Sequence, residues 1–436
     1  VLVGSTIGSG IFRTPAVIAG RVPDVGLFML AWLLGGVVAV AGALCFAELA
    51  AMFPRTGGVY VYLRETYGRT VAFVFGWTEL VILRPAAFGA IALTSAAYGW
   101  RVSAVDGDAV VAAGLSRTQL TAMVMIAGLA WVHARRAAAG AWLQDVSTVL
   151  KVVALGALAC AGLTLAPAVA TMPAEVASGG TTATGFALAM VAILWAYDGW
   201  GDVGFIAGEV RDPQRALPRA FVAGTALVVA LYLLANLAYL SVVPIAAMPA
   251  SPLVAADVAQ ALFGPAGAIG VAALVALSTF GTLNGAMMTG PRIFFAMAED
   301  GLLPRAVGGI HPRHGTPAAA IALAAALGVA FVAARDFASL ADQFVIGIWP
   351  FYALAVVAVI VWRARAPELP RAYRTWGYPR GGVPWLPLLF VAAAVFLLGS
   401  YAVADPVTFG ANLALMLAGV PLGWWLDRGR RGRRAA

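Results

Sequence analysis

The sequence predicts an all-α polytopic membrane protein, folded as one domain. Three observations carry that expectation. Of 436 residues, 62% are hydrophobic and 11% charged, with a mean hydropathy of +0.90, and a water-facing globule needs far more polar exterior than that. Apolar runs of bilayer-crossing length recur from end to end. The basic residues gather in the short stretches between those runs, so the +8 charge reads as membrane topology and not as a nucleic-acid interface.

Twelve spans are expected in order: 1–20, 25–53, 70–98, 118–134, 142–166, 184–209, 218–243, 266–298, 317–334, 339–362, 384–402 and 407–426. The first begins at Val1, already inside an apolar run, which implies a preceding cytoplasmic N-terminus. Pro54, Gly57 and Gly58 end the second; the third carries Arg84 before Pro85 at a kink. The loop after it, "GWRVSAVDGDAVVAAGLSRTQ", contains no cysteine. The fifth holds Lys151, the single lysine of the chain beside 27 arginines. The sixth and first contain glycine clusters, treated below. Pro213 and Pro218 open the seventh, Pro304 follows the eighth, and Pro367 with Pro370 follows the tenth. Cys45 and Cys160 fall inside apolar helices, and no signal peptide is present.

Arginine placement tests this count. Even-numbered loops and the tail hold 21 arginines, the odd-numbered loops hold four (Arg21, Arg101, Arg117, Arg335), and Arg13 and Arg84 are intramembrane. The bias sets both termini on the cytoplasmic side of a cell inner (plasma) membrane. The tail 427–436, "DRGRRGRRAA", reads as a topology signal that contacts anionic lipid.

Two spans are interrupted. Span 1 reads "GSTIGSGIF" around Gly8, Ser9 and Gly10; span 6 reads "LWAYDGWGDVG" around Gly199, Gly201 and Gly204. Glycine disfavours helix, and unwound backbone survives in a bilayer only where it is buried in protein or lines a cavity. Breaks five spans apart point to an inverted-repeat transporter with a midplane site. Residues 1–166 then form the first repeat, 184–362 the second, and 384–426 two added helices. A half-helix starting at Gly10 offers free N–H groups and a positive dipole end to a carboxylate. Carbonyls around Thr6 and Ile7, and near Trp195, Ala196, Tyr197 and Asp198, suit an ammonium. A free α-amino acid carries both groups.

These motifs resemble the amino acid–polyamine–organocation superfamily with the LeuT-type fold, and within it the bacterial L-type amino acid transporters. The matching stretches are "GSTIGSGIF", "AELAAMFPRTGGVYVYL", "WTELVILRPAAFGAIAL", "LQDVSTVLKVVAL", "AYDGWGDVGFIAGEVRDPQRALPRA" and "GTLNGAMMTGPRIFFAMAEDGLLP", in that order across the chain. The resemblance implies sodium-independent amino acid transport by alternating access, often as exchange. It maps carboxylate binding onto Ser9 and Gly10, and amine binding onto the carbonyls of Thr6, Trp195 and Asp198. Trp195 takes the position of an aromatic lid. Asn284, Met287 and Trp349 are possible pocket wall or ordinary core. The small Ala86, Ala87 and Gly89 suggest small or medium neutral substrates. Many eukaryotic members carry glycine where this chain has Asp198, and pair with a glycoprotein through a cysteine in the loop after span 3. That cysteine is missing here, so no disulfide-linked heavy subunit is expected.

Gln144, Ser147, Thr148 and Lys151 form one stripe at helical spacing. A buried ammonium costs about 3 kcal/mol on the mildest insertion scale. Lys151 either snorkels to cytoplasmic water or acts inside the bundle. In sodium-coupled relatives a cation lies between the helix 1 break and helix 8 hydroxyls, here Ser278 and Thr282; the resemblance makes Lys151 its built-in replacement. A lysine that deprotonates during the cycle implies proton-coupled symport of an amino acid, cationic amino acid or polyamine; one that stays charged suits exchange. Glu48 and Glu79 are expected to pair with nearby donors. Glu209, Arg211, Asp212, Arg292, Glu299 and Asp300 form either a salt-bridge gate or solvated loop charge. His133, His311 and His314 are read as loop residues, and no metal or nucleophile set exists. The expected partners are an amino acid and the bilayer, with no cofactor, no metal and no enzyme activity.

Overall fold

A computed structural model describes residues 1–135, 140–166, 180–251, 253–378 and 382–425, with the side chains of 140–144, 305 and 308 outside that description. The side chain of Gln144, and the tail from Arg428, therefore lie outside the described residues.

Among the described residues the regular structure is helical apart from a two-stranded hairpin, Val110–Ala112 against Leu115–Ser116, in the loop after the third span. The helices are α1 Leu2–Thr6, α2 Gly10–Arg21, α3 Val25–Met52, α4 Val59–Tyr67, α5 Arg69–Thr78, α6 Arg84–Val102, α7 Arg117–Arg135, α8 Gly140–Leu165, α9 Ala183–Tyr197, α10 Pro213–Val242, α11 Val254–Thr289, α12 Pro291–Glu299, α13 Arg305–Gly308, α14 Ala318–Ala334, α15 Phe337–Arg365, α16 Trp385–Ala404 and α17 Pro406–Leu417. A π-helical turn, Glu79–Leu83, joins α5 to α6, and a 3₁₀ segment, Trp200–Glu209, follows α9. Among the described residues nine helical spans are long and apolar enough to cross a bilayer, as a multi-pass membrane protein requires.

Span 8 opens at Pro265, next to the expected 266, because Gly264 turns the chain with φ 70° and Pro265 starts a helix without an N–H to satisfy; the stretch 254–263 before it is a separate helical segment that the sequence did not announce. Span 3 runs unbroken from Arg69 to Val102, but Pro85 cannot donate to the carbonyl one turn back, and the ladder widens into the π turn.

Burial separates centre from rim. The α5–α6 span is 89% buried, whereas α16 is 28%. α6 packs on α11 and α15, α8 on α10 and α11, α3 on α10 and α9, and α2 on α9. The interrupted helices thus sit inside a wall of long ones, while α16 and α17 lie at the rim. One buried tie holds the wall at one end: Glu48 on α3 accepts from Arg363 Nε at 2.9 Å and Nη2 at 2.6 Å, and from the Thr375 N–H at 2.7 Å.

Candidate substrate site at two crossed helix breaks

The first helix stops at Thr6 and resumes at Gly10. Ser9, the residue before α2, supplies no side-chain cap, so the first N–H groups of α2 keep the open valence of any helix start. The second break follows Tyr197: Asp198 is extended, and Gly199 is left-handed with φ 108°. The two breaks press on each other. A Cβ on Gly199 would lie 2.8 Å from Ser5 C and Thr6 N, and one on Gly10 would lie 2.4 Å from Ala196 Cα. Glycine is required at both places, for the positive φ at one and the close crossing at the other. We expect Gly10→Ala to lower transport about tenfold or more, because the backbones must separate to admit the methyl. Gly8→Ala meets only Thr282 Cγ2, at 3.1 Å, and should be milder. Initial uptake rates compare the two; equal rates would show that the crossing tolerates separation.

Lys151 Nζ donates to Gly4 O at 2.8 Å, Ile7 O at 2.9 Å and Thr282 Oγ1 at 2.8 Å. An ammonium has three protons and here has three acceptors. The Thr282 hydroxyl, having accepted from Lys151, donates its own proton towards Ser278 O at 3.2 Å or Ile7 O at 3.3 Å. Lys151 is buried, so its stem does not run out to water. One side chain of α8 therefore ties the α1 break to α11. Ser278 is also buried and lines a small apolar cavity beside Lys151, but its Oγ has no partner among the described residues.

Between the breaks lies a cavity of about 50 Å³, lined by Ser5, Thr6, Gly8, Ser9, Gly10, Arg84, Ala87, Trp195, Asp198, Gly199, Asp202, Thr282 and Phe344, among others. That volume holds about three to five waters. Trp195 closes it, with ring centroids 5.1 Å from Phe344 and 6.4 Å from Phe337. Beyond that aromatic layer a vestibule of 1020 Å³ opens, lined by Arg13, Trp100, Arg101, Asp106, Asp108, Arg335, Asp336 and Phe337, among others. The opposite end is bridged: Arg292 bonds Glu209 at 2.5 and 3.0 Å, and Asp300 accepts from Arg64 at 2.5 Å and Tyr60 at 2.6 Å. The vestibule end is open and the other end is tied shut.

Several expected groups are already engaged or sit elsewhere. Ile7 is fully buried, and its carbonyl is engaged by Lys151. The Thr6 carbonyl accepts from Tyr232 OH at 2.8 Å and from the Gly8 N–H at 2.8 Å. Trp195 O accepts from the Asp198 N–H at 3.1 Å. Tyr197 points away, its hydroxyl donating to Trp32 O at 3.2 Å. Ala196 forms the crossing with Gly10. Asn284 meets His133 at 2.8 Å, Met287 lines a 340 Å³ cavity beside Glu209 and Arg292, and Trp349 stacks on Phe390. These three are not among the lining residues of the central cavity. His133 is not a loop residue: it is buried in the last turn of α7.

Glu79 pairs with a nearby donor, as expected; what the sequence reading missed is that the donor is Arg84 and that Asp202 joins them in a buried charge cluster at the cavity wall. Arg84 Nε donates to Glu79 Oε2 at 2.6 Å and Nη2 to Oε1 at 3.3 Å, while Nη2 lies 3.5 Å from Asp202 Oδ1. Asp198 Oδ1 accepts from Tyr352 OH at 3.1 Å. In an α-helix residues five apart diverge by about 140°. The π turn, closed by Arg84 N–H on Glu79 O, brings this pair onto one face. Pro85 five residues beyond Leu80 was the available signal.

Comparison with known proteins agrees with this architecture. The amino acid permease family model matches residues 1–421. The chain is 31% identical to the serine/threonine exchanger SteT of Bacillus subtilis (strain 168), over 97% of this chain and 93% of that one. It is 31% identical to the mouse (Mus musculus) b(0,+)-type amino acid transporter 1, over 93% and 81%. It is 30% identical to the mouse large neutral amino acids transporter small subunit 2, over 97% and 78%.

Proposed function

The chain belongs to the amino acid permease family of the amino acid–polyamine–organocation superfamily, and from that premise we propose a sodium-independent exchanger of small or medium neutral L-amino acids. It is an amino acid transporter and not an enzyme; the finer assignment is our reading. The single observation that supports it most is the triple coordination of Lys151 Nζ by Gly4 O, Ile7 O and Thr282 Oγ1. Those oxygens are hard donors suited to an alkali cation, and a fixed ammonium fills the place among them. An ammonium that keeps its proton through the cycle suits transport driven by swapping one amino acid for another.

In this reading the chain has twelve spans in two inverted five-helix repeats, with both termini cytoplasmic in the plasma membrane, so the vestibule faces outward. The carboxylate binds the N–H groups at Ser9 and Gly10, and the amine binds near Thr6, Trp195, Ala196 and Asp198, with Gly8 and Gly199 allowing the bends. Thr6 and Ile7 carbonyls must then share their existing donors. Trp195 opens to admit substrate, and the Glu209–Arg292 and Arg64–Asp300 bridges part on the opposite stroke. The loop after α6 has no cysteine, which supports function without a disulfide-linked subunit.

Purified protein in vesicles tests this. Uptake of labelled L-serine is compared in empty and serine-preloaded vesicles, with sodium or choline outside, and with or without a pH gradient. Preloading should raise uptake about tenfold, independent of sodium. Equal uptake into empty vesicles, driven by inward-directed protons, would instead establish the proton-coupled alternative.

A further inference from the structure

The face of α10 turned away from the bundle has a charged head and an apolar tail. Arg215 and Arg219 are exposed and one turn apart near the start of the helix, and exposed Arg211 lies four residues before Arg215. Ala223, Leu227, Ala230, Leu234 and Leu237 continue the same exposed stripe at steps of three or four residues. The opposite face, through Phe221, Val228, Tyr232 and Tyr239, is buried against the bundle. The three arginines stand apart from their neighbours at this end of the molecule. Arg64 is engaged by Asp300, Arg292 by Glu209, and Arg363 and Arg371 by Glu48. Among the described residues Arg211, Arg215 and Arg219 have no side-chain hydrogen bond and no ion pair. One acid, Asp212, lies among them, so positive charge is in excess.

We propose that this stripe binds one acidic phospholipid, its phosphodiester held by Arg215 and Arg219 with Arg211, and its acyl chain laid on Ala223, Leu227 and Ala230. The inference rests on α10 crossing the bilayer and not on the exchange proposed above. Guanidinium forks match phosphate oxygens, and charge near the membrane surface selects an anionic headgroup. The apolar tail of the stripe selects a lipid over a soluble phosphate. Length fits as well: Arg219 to Ala230 is about 16 Å along the helix, the depth of one leaflet of a hydrocarbon core about 30 Å thick. The place has a consequence for the gate. Arg211 is two residues beyond Glu209, and a Cβ on Gly224 would lie 2.7 Å from Leu2 Cδ2. A lipid held here therefore sits beside both the Glu209–Arg292 bridge and the half-helix that leads into the first break.

A fluorophore attached through Ala223→Cys reads occupancy in vesicles, in a background with Cys160→Ala; Cys45 is buried. Phosphatidylglycerol with a nitroxide on its acyl chain should quench at about 25-fold lower mole fraction than the same phosphatidylcholine, since each arginine near the surface contributes about fivefold in affinity. Arg215→Gln with Arg219→Gln should bring the two lipids together, and Arg215→Lys with Arg219→Lys should keep most of the preference. The same fluorophore at Val149→Cys, exposed on α8 below the exposed Asp145, should show none. A preference as strong at position 149, or one that survives the double glutamine variant, would reveal general enrichment of anionic lipid and overturn the site. Relief of quenching by excess glycerol 3-phosphate, as complete as by unlabelled phosphatidylglycerol, would overturn the lipid assignment.

Discussion

Lys151→Ala is expected to lower transport about 100-fold, while the protein still inserts and stays monodisperse. The size follows from the bonds lost. Hydrogen bonds from a charged donor contribute about 1.5–3 kcal/mol each, and about 1.4 kcal/mol is a factor of ten in rate; losing the use of two in the substrate-bound state gives the estimate. Stability should change much less. Removing the ammonium also removes its burial cost, and Thr282 Oγ1, at 3.3 Å from Ile7 O and 3.5 Å from Gly4 O, can still donate to one of them. Lys151→Arg should not rescue, because a planar five-donor fork does not fit three converging acceptors. Uptake rates, set beside membrane abundance and thermal melting, separate the two effects. Wild-type uptake in Lys151→Ala would leave the residue a structural tie, and a melting temperature that collapses would make it a folding residue.

What the sequence could and could not reveal follows from where each signal lives. Glycine at 8, 10 and 199 marks backbone events, so the two breaks were legible, and a lone lysine in an apolar run announces itself. The direction of a side chain on a helix that is apolar all round does not, because such a helix has no polar face to set its rotation. That is why Asn284, Met287 and Trp349 seemed as good a pocket wall as any. Phe344 and Tyr232 reach the breaks from α15 and α10, across more than 130 residues of chain, and only the packed bundle brings them there. The π turn is a different case. Its cause, Pro85, was in plain view, but its consequence is about a quarter-turn change in facing that a uniform 3.6-residue repeat hides.

That change in facing underlies the other large effect. Glu79 is fully buried and Arg84 nearly so, in the membrane interior away from bulk water. Removing one partner strands the other, at about 3–5 kcal/mol; replacing both with apolar residues of similar volume is often neutral. Glu79→Leu leaves Arg84 with Asp202 alone, at 3.5 Å. Arg84→Met leaves Glu79 and Asp202 without a cation between them. Either change should sharply reduce the folded yield and melting temperature. Glu79→Leu with Arg84→Met should recover most of the folding but not the transport, because the guanidinium also lines the central cavity beside Asp198 and Asp202. A double-mutant cycle on melting therefore gives a large coupling, while the same cycle on uptake gives little rescue. Additive melting losses would mean that the π turn brings the pair together without energetic consequence, and full recovery of uptake would remove Arg84 from the substrate cavity.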